Sequence, residues 1–339
     1  MLVLLNLDVT KEEIDHIYER ITGFGFVPHM IPGETRDAIG ITGNQNPAAK
    51  TQLEVLPGVW KIMPVTKSYK LSSREFHPQN RIVKVGDVSF GDGNVVMIAG
   101  PCAVESLEST VGIAKIVTAR GAQLIRGGAF KPRTSPYSFQ GLGEDGLKIL
   151  ATARQETGLK FVTEVVSPDD AELVASYADM LQIGTRNMQN FRLLEYVGKQ
   201  GKPVLLKRGM SATLDETLMS AEYLMKNGCN DVVICERGIR TFSDHSRNTL
   251  DIAFIPAMKK VSSLPVIVDP SHSGGKRSMV IPHSLAGIGA GADGLIVDVH
   301  DNPEEALCDG PQALLPHEFE ELMKISKGVC AAMGKTIGR

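Results

Sequence analysis

The sequence predicts an α/β protein in which a small ferredoxin-like domain of the order βαββαβ precedes a (β/α)8 TIM barrel. Two observations support the barrel. After residue 95 a short apolar strand followed by a segment of helical periodicity recurs eight times. The strands are also continuously apolar, which is typical of a parallel sheet buried on both faces. A doubly wound open sheet is the alternative, and it is disfavoured because no G-x-G-x-x-G sequence follows the first of these strands.

The ferredoxin-like domain is expected over residues 1–66 and begins with a strand at Leu2–Leu7. Thr10 and Glu13 have the spacing of a capping box, which predicts the start of a helix that ends near Gly23. The remaining elements are expected as two strands, a short helix and a last strand at Phe26–Ile31, Ala38–Thr42, Asn46–Leu56 and Val59–Val65. Fold alone does not decide whether such a domain is regulatory or a packing unit.

Residues 67–94 are predicted to form a linker and a small hairpin. The polar stretch Thr66–Asn80 is typical of a domain boundary. Arg81–Val85 and Val88–Phe90 alternate around a Gly-Asp pair, which is a hairpin signal. Because this hairpin directly precedes the barrel, it is expected to close the barrel bottom.

The barrel is expected over residues 95–339, with helical periodicity between its strands, as at Leu142–Thr157 and Thr213–Asn227. In such a barrel the functional site lies at the C-terminal ends of the strands. The expected strands are Val95–Ala99, Gln123–Arg126, Lys160–Glu164, Met180–Ile183, Pro203–Lys207, Val232–Glu236, Pro265–Asp269 and Gly294–Asp298.

Composition narrows the possible functions. The net charge of −3 gives no general attraction to nucleic acid or to an anionic membrane. No apolar run approaches the roughly 20 residues that span a bilayer. The five cysteines show no C-x-x-C spacing, which favours reduced thiols and a cytoplasmic location.

Cations recur where the predicted strands end. Arg126, Lys131 and Arg133 follow the second strand, and Arg186, Lys207 and Arg237 follow later ones. A solvated basic loop is the simpler interpretation of three neighbouring cations. Their recurrence at four or more strand ends instead predicts a site for more than one anionic group, such as phosphates and a carboxylate.

The same barrel mouth is expected to collect metal ligands, namely Cys102, His272, Asp298 and Asp309. A sulfur, an imidazole and carboxylates suit Mn²⁺, Fe²⁺, Co²⁺ or Zn²⁺ better than Mg²⁺ or Ca²⁺. No local motif joins these residues, so the inference depends on the barrel. The other four cysteines are interpreted as small core residues: Cys229, Cys235, Cys308 and Cys330.

Several motifs resemble those of 3-deoxy-D-arabino-heptulosonate 7-phosphate (DAHP) synthases of the short microbial type with an N-terminal ferredoxin-like regulatory domain. The resemblance covers essentially the whole chain, and Lys131–Ser135 is its most specific part. The motifs are Gly100-Pro-Cys-Ala-Val-Glu-Ser106, Arg126-Gly-Gly-Ala-Phe-Lys-Pro-Arg-Thr-Ser-Pro136, Leu206-Lys-Arg-Gly209, Cys235-Glu-Arg-Gly238, Arg247-Asn-Thr-Leu-Asp251 and Asp269-Pro-Ser-His-Ser273.

This resemblance implies a transferase that condenses phosphoenolpyruvate with erythrose 4-phosphate, the first step of the shikimate pathway to aromatic amino acids. It assigns Arg126, Lys131, Arg186, Lys207 and Arg237 to phosphoenolpyruvate. It assigns Pro132, Arg133, Thr134 and Ser135 to erythrose 4-phosphate, and Glu236 is a further substrate-binding candidate. Lys131 is the expected proton donor, while Glu164 and His272 lie beside the expected base, a water.

The metal positions of the family fall on Cys102, His272, Asp298 and Asp309. The family usually has Glu where this chain has Asp298, so Asp298 is expected to ligate after a small shift or through water. The resemblance further implies feedback inhibition by Tyr or Phe at the N-terminal domain, and a homotetramer.

Two other functions stay open from the sequence. One is the related 3-deoxy-D-manno-octulosonate 8-phosphate synthase reaction, with arabinose 5-phosphate as acceptor, which the segment Lys131–Ser135 disfavours. The other is a sensor of phosphorylated ligands without chemistry, which the four-ligand metal set disfavours. The N-terminal domain, likewise, could be a packing module with no ligand.

Overall fold

The computed structural model describes residues 1–33, 36–42, 47–63 and 69–338. The chain divides into two compact units, Met1–Ser68 and Tyr69–Arg339. Three predicted features fall outside the described residues: the boundary at residue 66, Asn46 at the start of the second helix, and Val65 at the end of the strand that follows it.

The first unit is a four-stranded antiparallel sheet with two helices, in the strand order β2-β3-β1-β4. Both hydrogen bonds of the predicted capping box at Thr10 and Glu13 are present. The first strand ends before its predicted end at Leu7, whose side chain is exposed. The elements are β1 Leu2–Leu5, α1 Lys11–Gly23, β2 Val27–Ile31, β3 Ala38–Thr42, α2 Pro47–Glu54 and β4 Val59–Met63. This arrangement confirms the predicted ferredoxin-like fold.

The second unit begins with a segment that packs on the barrel. Both the backbone N–H and the hydroxyl of Ser72 donate to the Glu222 carboxylate, each at 2.8 Å. The Arg74 guanidinium donates to the carbonyl of Lys259 at 2.6 Å. Residues 69–80, which the polar composition suggested as a free linker, are therefore anchored to the barrel.

A closed parallel barrel forms the body of the second unit. Its last strand pairs with its first, and Gly294 to Asp298 align with Val96 to Gly100. Closure confirms the predicted barrel and excludes the doubly wound open sheet. The strands are β7 Asn94–Gly100, β8 Leu124–Arg126, β9 Lys160–Glu164, β10 Met180–Ile183, β11 Val204–Lys207, β12 Val232–Glu236, β13 Val266–Val268 and β14 Gly294–Asp298.

Nine helices surround the barrel over the described residues, and a short strand, β15 Thr336–Ile337, pairs with β7. None of the helices in this part of the chain is long and apolar enough to cross a membrane. The helices are α3 Leu107–Ala119, α4 Glu144–Thr157, α5 Ala171–Tyr177, α6 Phe191–Gly198, α7 Leu214–Lys226, α8 Phe254–Val261, α9 Pro270–Gly274, α10 Arg277–Gly289 and α11 Pro316–Ala332.

Strand alternation divides the barrel core into two layers. In β7, for example, Val95 and Met97 pack outward against the helices, and Val96 and Ile98 point into the barrel. All eight strands contribute side chains to the inner layer. Because this layer fills the barrel interior, polar side chains at the strand ends are left at the mouth.

The hairpin of β5 Val83–Val85 and β6 Val88–Phe90 closes the other end. Phe90 is fully buried and belongs to the inner layer of the barrel. Arg81 donates its N–H to the carbonyl of Ser263, just before β13 begins. The hairpin therefore lies at the N-terminal ends of the strands, opposite the mouth.

We predict that Phe90→Ala lowers the free energy of unfolding of the barrel by about 3–5 kcal/mol, because it leaves a cavity in a layer that all eight strands share. Phe76→Ala is the control, since 65% of Phe76 is exposed. It should change this energy by less than about 0.5 kcal/mol. Chemical denaturation measures both, and equal unfolding energies for the two variants would contradict the assigned role of the hairpin.

Candidate active site

A cavity of about 280 Å³ lies at the mouth of the barrel. Its lining comes from the C-terminal ends of the strands and the loops that follow them, as expected for this fold. The lining residues are Arg126, Lys131, Pro132, Arg133, Thr134, Ser135, Ser138, Glu164, Gln182, Gly184, Thr185, Arg186, Lys207, Arg237, Arg247, His272 and Asp309. The cavity thus brings together cations that are far apart in the sequence.

Glu236 is the one predicted substrate-binding residue that does not line this cavity. Its carboxylate is fully buried and accepts hydrogen bonds from Arg208 Nη1 at 2.9 Å and from the Gly238 N–H at 2.7 Å. The Glu236 carboxylate therefore fixes the loop that carries Arg237, and it is not available to a ligand in the cavity.

Three cations at the base of the cavity are almost completely buried. Arg126 Nη1 lies 2.8 Å from Asp298, and Lys207 Nζ lies 2.5 Å from Asp269. The Arg237 guanidinium has no such partner: within the described part of the chain, its Nη1 is buried without a hydrogen bond. Because a buried unpaired charge is costly, this geometry is typical of a site that an anion completes.

The electrostatics of Arg237 agree with this interpretation. Burial lowers the pKa of its guanidinium, which Asp269 only partly offsets. The hydroxyl of Thr185, also in the cavity lining, is another buried polar group without a partner among the described residues. A bound anion would supply acceptors to both groups.

The loop 131–135 forms one wall of the cavity. Lys131 Nζ donates to the carbonyl of Cys102 at 3.0 Å and lies 3.3 Å from its sulfur. Although burial disfavours the charged amine, negative charge on the sulfurs of Cys102 and Cys308 raises the pKa of Lys131, so it stays protonated. Arg186 donates to Thr134 Oγ1 at 3.4 Å.

The predicted metal ligands meet beside this wall. The sulfur of Cys102 lies 3.8 Å from His272 Nε2 and 3.4 Å from Asp309 Oδ2. His272 Nε2 and Asp309 Oδ2 are 3.6 Å apart. A thiol, an imidazole and a carboxylate at these separations fit one borderline divalent ion, which supports the predicted metal class.

Asp269 sets the orientation of His272. Its carboxylate accepts from the backbone N–H of His272 at 2.9 Å and from Nδ1 at 3.0 Å, which leaves Nε2 facing the other ligands. Although burial disfavours the charged imidazole, Asp269 and Asp298 raise the pKa of His272 to about 10. Carboxylate partners of this kind fix the tautomer of a metal-binding histidine.

Asp298 is the most constrained of the predicted ligands. Its Oδ1 pairs with Arg126 at 2.8 Å, and its Oδ2 accepts from Gln312 at 2.7 Å. His272 Nε2 lies 3.8 Å from the same Oδ2. Asp298 is thus near the ligand set, with both of its oxygens already engaged.

Glu164 lines the cavity as predicted, and its position depends on two neighbours. Gln182 donates to its Oε2 at 3.1 Å. A Cβ at Gly184 would lie only 1.9 Å from its Oε1. The Glu164 carboxylate therefore fits in this position only because residue 184 is a glycine.

Sequence analysis missed three residues of the site. Asp269 and Arg247 stand in motifs that we noted, but neither received a role; Arg247 Nη1 lies 3.2 Å from Asp309 Oδ1. Cys308 was interpreted as a core residue, yet its sulfur lies 3.4 Å from that of Cys102. The available signal was its position next to Asp309, which is the one non-glycine residue with a positive φ in the described chain.

Comparison with known proteins places the chain among characterised families. The DAHP synthetase I family matches residues 68–334, and the DAHP synthase ferredoxin-like domain matches residues 1–67. A phospho-2-dehydro-3-deoxyheptonate aldolase of Thermotoga maritima is 47% identical over 334 residues, which is 98% of this chain and 99% of that protein.

Two further comparisons extend this result. The crystal structure of the DAHP synthase from Thermotoga maritima matches with a TM-score of 0.95 and 46% identity, covering 99% of both chains. A 2-dehydro-3-deoxyphosphooctonate aldolase of Syntrophotalea carbinolica is more distant, at 31% identity over 71% of this chain and 93% of that protein.

We predict that Asp269→Asn weakens divalent metal binding by about 10- to 100-fold, because the partner that orients His272 is altered. Metal affinity is measured by competition with a chromophoric chelator. Asp293→Asn is the matched control, since Asp293 is also buried and pairs with Lys259, but its hydrogen-bond partners include no proposed metal ligand. Equal affinities for Asp269→Asn and wild type would contradict the orienting role.

Proposed function

The chain belongs to the DAHP synthetase I family, and we propose that its barrel mouth binds both substrates of that reaction with the residues described below. As a DAHP synthase, it is a transferase that condenses phosphoenolpyruvate with erythrose 4-phosphate to give 3-deoxy-D-arabino-heptulosonate 7-phosphate and phosphate. This is the first step of the shikimate pathway.

The observation that carries the assignment of phosphoenolpyruvate is the buried Nη1 of Arg237, which has no hydrogen-bond partner among the described residues. Phosphoenolpyruvate has a phosphate and a carboxylate, so it needs more than one cation. Arg126, Lys131, Arg186 and Lys207 line the same cavity and supply them. Planar guanidinium groups are suited to both anions.

The acceptor, erythrose 4-phosphate, is assigned to Pro132, Arg133, Thr134 and Ser135. All four line the cavity beside the cations, with Thr134 and Ser135 at its exposed side. The 47% identical relative over nearly the full chain, and the matching ferredoxin-like domain, favour this acceptor over arabinose 5-phosphate.

The metal ion is proposed to bind at Cys102, His272 and Asp309, with Asp298 joining the set directly or through water. Mn²⁺, Fe²⁺, Co²⁺ and Zn²⁺ all suit these donors. When bound, a divalent ion supplies Lewis-acid polarisation of the aldehyde oxygen of the acceptor.

The protein's own groups carry the remaining steps. C3 of phosphoenolpyruvate attacks the aldehyde carbon, and protonated Lys131 donates a proton to the oxygen that becomes an alkoxide. Water adds at C2, and the resulting hemiketal phosphate loses inorganic phosphate by C–O cleavage. Glu164 is the favoured base for that water, since Nδ1 of His272 is held by Asp269. The buried cations neutralise both phosphates and hold the substrates in position.

We also propose how the protein is regulated, how many subunits it has and where in the cell it is found. We assign the ferredoxin-like domain to feedback inhibition by an aromatic amino acid, Tyr or Phe, on the strength of its match to the DAHP synthase ferredoxin-like domain. The resemblance also supports a homotetramer, which light scattering measures. A cytoplasmic location agrees with the five free thiols in the described residues.

We predict that Arg237→Ala raises the KM for phosphoenolpyruvate by about 10- to 100-fold, because a charge-assisted contact with a buried group is lost. Steady-state kinetics at saturating erythrose 4-phosphate measure this. The control is Arg240→Ala, since Arg240 is exposed and lies outside the cavity lining. An unchanged KM in Arg237→Ala would remove Arg237 from the substrate site.

Removal of residues 1–66 is expected to leave an active barrel that no longer responds to Tyr or Phe, because the second compact unit begins only at Tyr69. Activity is compared with and without each amino acid in the full chain and in the truncated chain. Inhibition that persists in the truncated chain would refute the regulatory assignment. A full chain that responds to neither amino acid would favour a packing module.

A further inference from the structure

The sulfur of Cys308 lies inside the ligand cluster. It is 3.4 Å from the sulfur of Cys102 and 3.6 Å from Asp309 Oδ2. Cys102, Cys308 and Asp309 together have the spacing of a metal-binding group. The proposed function gives Cys308 no role, and a second sulfur in this position needs an explanation.

Asp298 is held in place more tightly than the other candidate ligands. Arg126 occupies one of its oxygens, and Gln312 donates to the other. Its carboxylate is one methylene shorter than the Glu that is usual in the family. Both partners are themselves buried, but hydrogen-bonded carboxylates still bind metals, and Asp298 lies within ligand spacing of Cys102 and His272.

The separations within the other set agree with one coordination polyhedron. Zinc-like ions bind sulfur at about 2.3 Å and nitrogen or oxygen at about 2.0–2.2 Å, so neighbouring donors in a tetrahedron lie roughly 3.3–3.8 Å apart. Five pairs among Cys102, Cys308, His272 and Asp309 are separated by 3.4, 3.4, 3.6, 3.6 and 3.8 Å. The sixth pair, Cys308 with His272, is more widely separated, so metal binding has to bring these two donors closer together.

We propose that Cys308 is a direct ligand of the metal, together with Cys102, His272 and Asp309. This inference rests on the metal site of the proposed function and specifies its donors. It gives the site two sulfurs where the sequence predicted one.

Nearby cations offset the negative charge that a second thiolate brings to the site. Arg133 Nη1 lies 2.6 Å from the sulfur of Cys308, and Lys131 Nζ lies 3.3 Å from that of Cys102. Each sulfur therefore has its own positively charged donor, which stabilises the thiolate that binds a metal. Arg133 then touches both the ligand set and the proposed acceptor site.

A two-sulfur set changes which ion the site prefers. Thiolates favour softer ions, so the second sulfur shifts selectivity toward Zn²⁺ and Co²⁺ and away from Mn²⁺. The ratio of Zn²⁺ to Mn²⁺ affinity is accordingly expected to fall in Cys308→Ser.

The direct test uses the full chain loaded with Co²⁺ under a reducing agent. Each thiolate bound to Co²⁺ adds a sulfur-to-metal charge-transfer absorption in the near ultraviolet. Wild type is expected to show about twice the absorbance per bound Co²⁺ of either Cys308→Ser or Cys102→Ser. Cys330→Ser is the control, since Cys330 is a cysteine of α11 that is buried in the apolar core around the barrel, and it should match wild type.

Two results would overturn the inference in different ways. Equal absorbance in wild type and Cys308→Ser, with loss of the band in Cys102→Ser, would leave the proposed metal site intact and remove Cys308 from it. A wild type that shows no charge-transfer band with Co²⁺ bound would remove both sulfurs and the proposed site with them.

A second measurement covers the case in which Cys308→Ser fails to fold. The ¹¹³Cd nuclear magnetic resonance shift of cadmium-loaded wild type moves downfield with each thiolate ligand, so it counts the sulfurs without any substitution. A shift typical of two thiolates supports the proposal, and one typical of a single thiolate overturns it.

Discussion

The carboxylate of Asp269 joins the two halves of the site. It pairs with Lys207, one of the cations at the base of the cavity, and with His272, one of the proposed metal ligands. Although burial alone would raise its pKa, the charges of His272 and Lys207 hold the pKa of Asp269 well below its usual range. A single buried anion thus holds in place both a cation that we propose to bind phosphoenolpyruvate and an imidazole that we propose to bind the metal.

This arrangement is possible because the middle of each barrel strand stabilises the fold, while its C-terminal end is free to carry functional side chains. The inner layer and the hairpin at the bottom bury apolar side chains from all eight strands. The strand ends are then free to carry charges that no packed core would accept. Two of those charges, Arg126 and Lys207, are satisfied by carboxylates at the ends of strands two positions away around the barrel. Arg237 Nη1, in contrast, has no hydrogen-bond partner among the described residues.

Much of this could be predicted from the sequence, since it depends on local patterns. Strand candidates such as Lys160–Glu164 and Val232–Glu236 have the observed bounds, because continuous apolar runs leave little choice of register. The ends of the predicted strands also indicated which cations and which candidate metal ligands would meet at the barrel mouth. The partner of each charge could not be predicted in the same way. Glu236 stands beside Arg237 in the sequence, yet it points into the core toward Arg208.

The contacts of Cys308 show the same limit. The sequence offers an isolated cysteine, and isolated cysteines are usually small core residues. Its contact with Cys102 joins positions 206 residues apart. Cys308 also precedes Asp309, whose backbone is left-handed, and no composition or periodicity reveals that conformation. Long-range geometry of this kind decides which groups share a proton or an ion.

The central claim is that one barrel mouth joins phosphoenolpyruvate to erythrose 4-phosphate with the help of a divalent ion. It is tested most directly by following phosphoenolpyruvate consumption with erythrose 4-phosphate or arabinose 5-phosphate, after chelation and again after Mn²⁺ or Co²⁺ is restored. The account predicts consumption with erythrose 4-phosphate alone, lost on chelation and regained with the ion. A preference for arabinose 5-phosphate, or turnover that survives chelation, would contradict it.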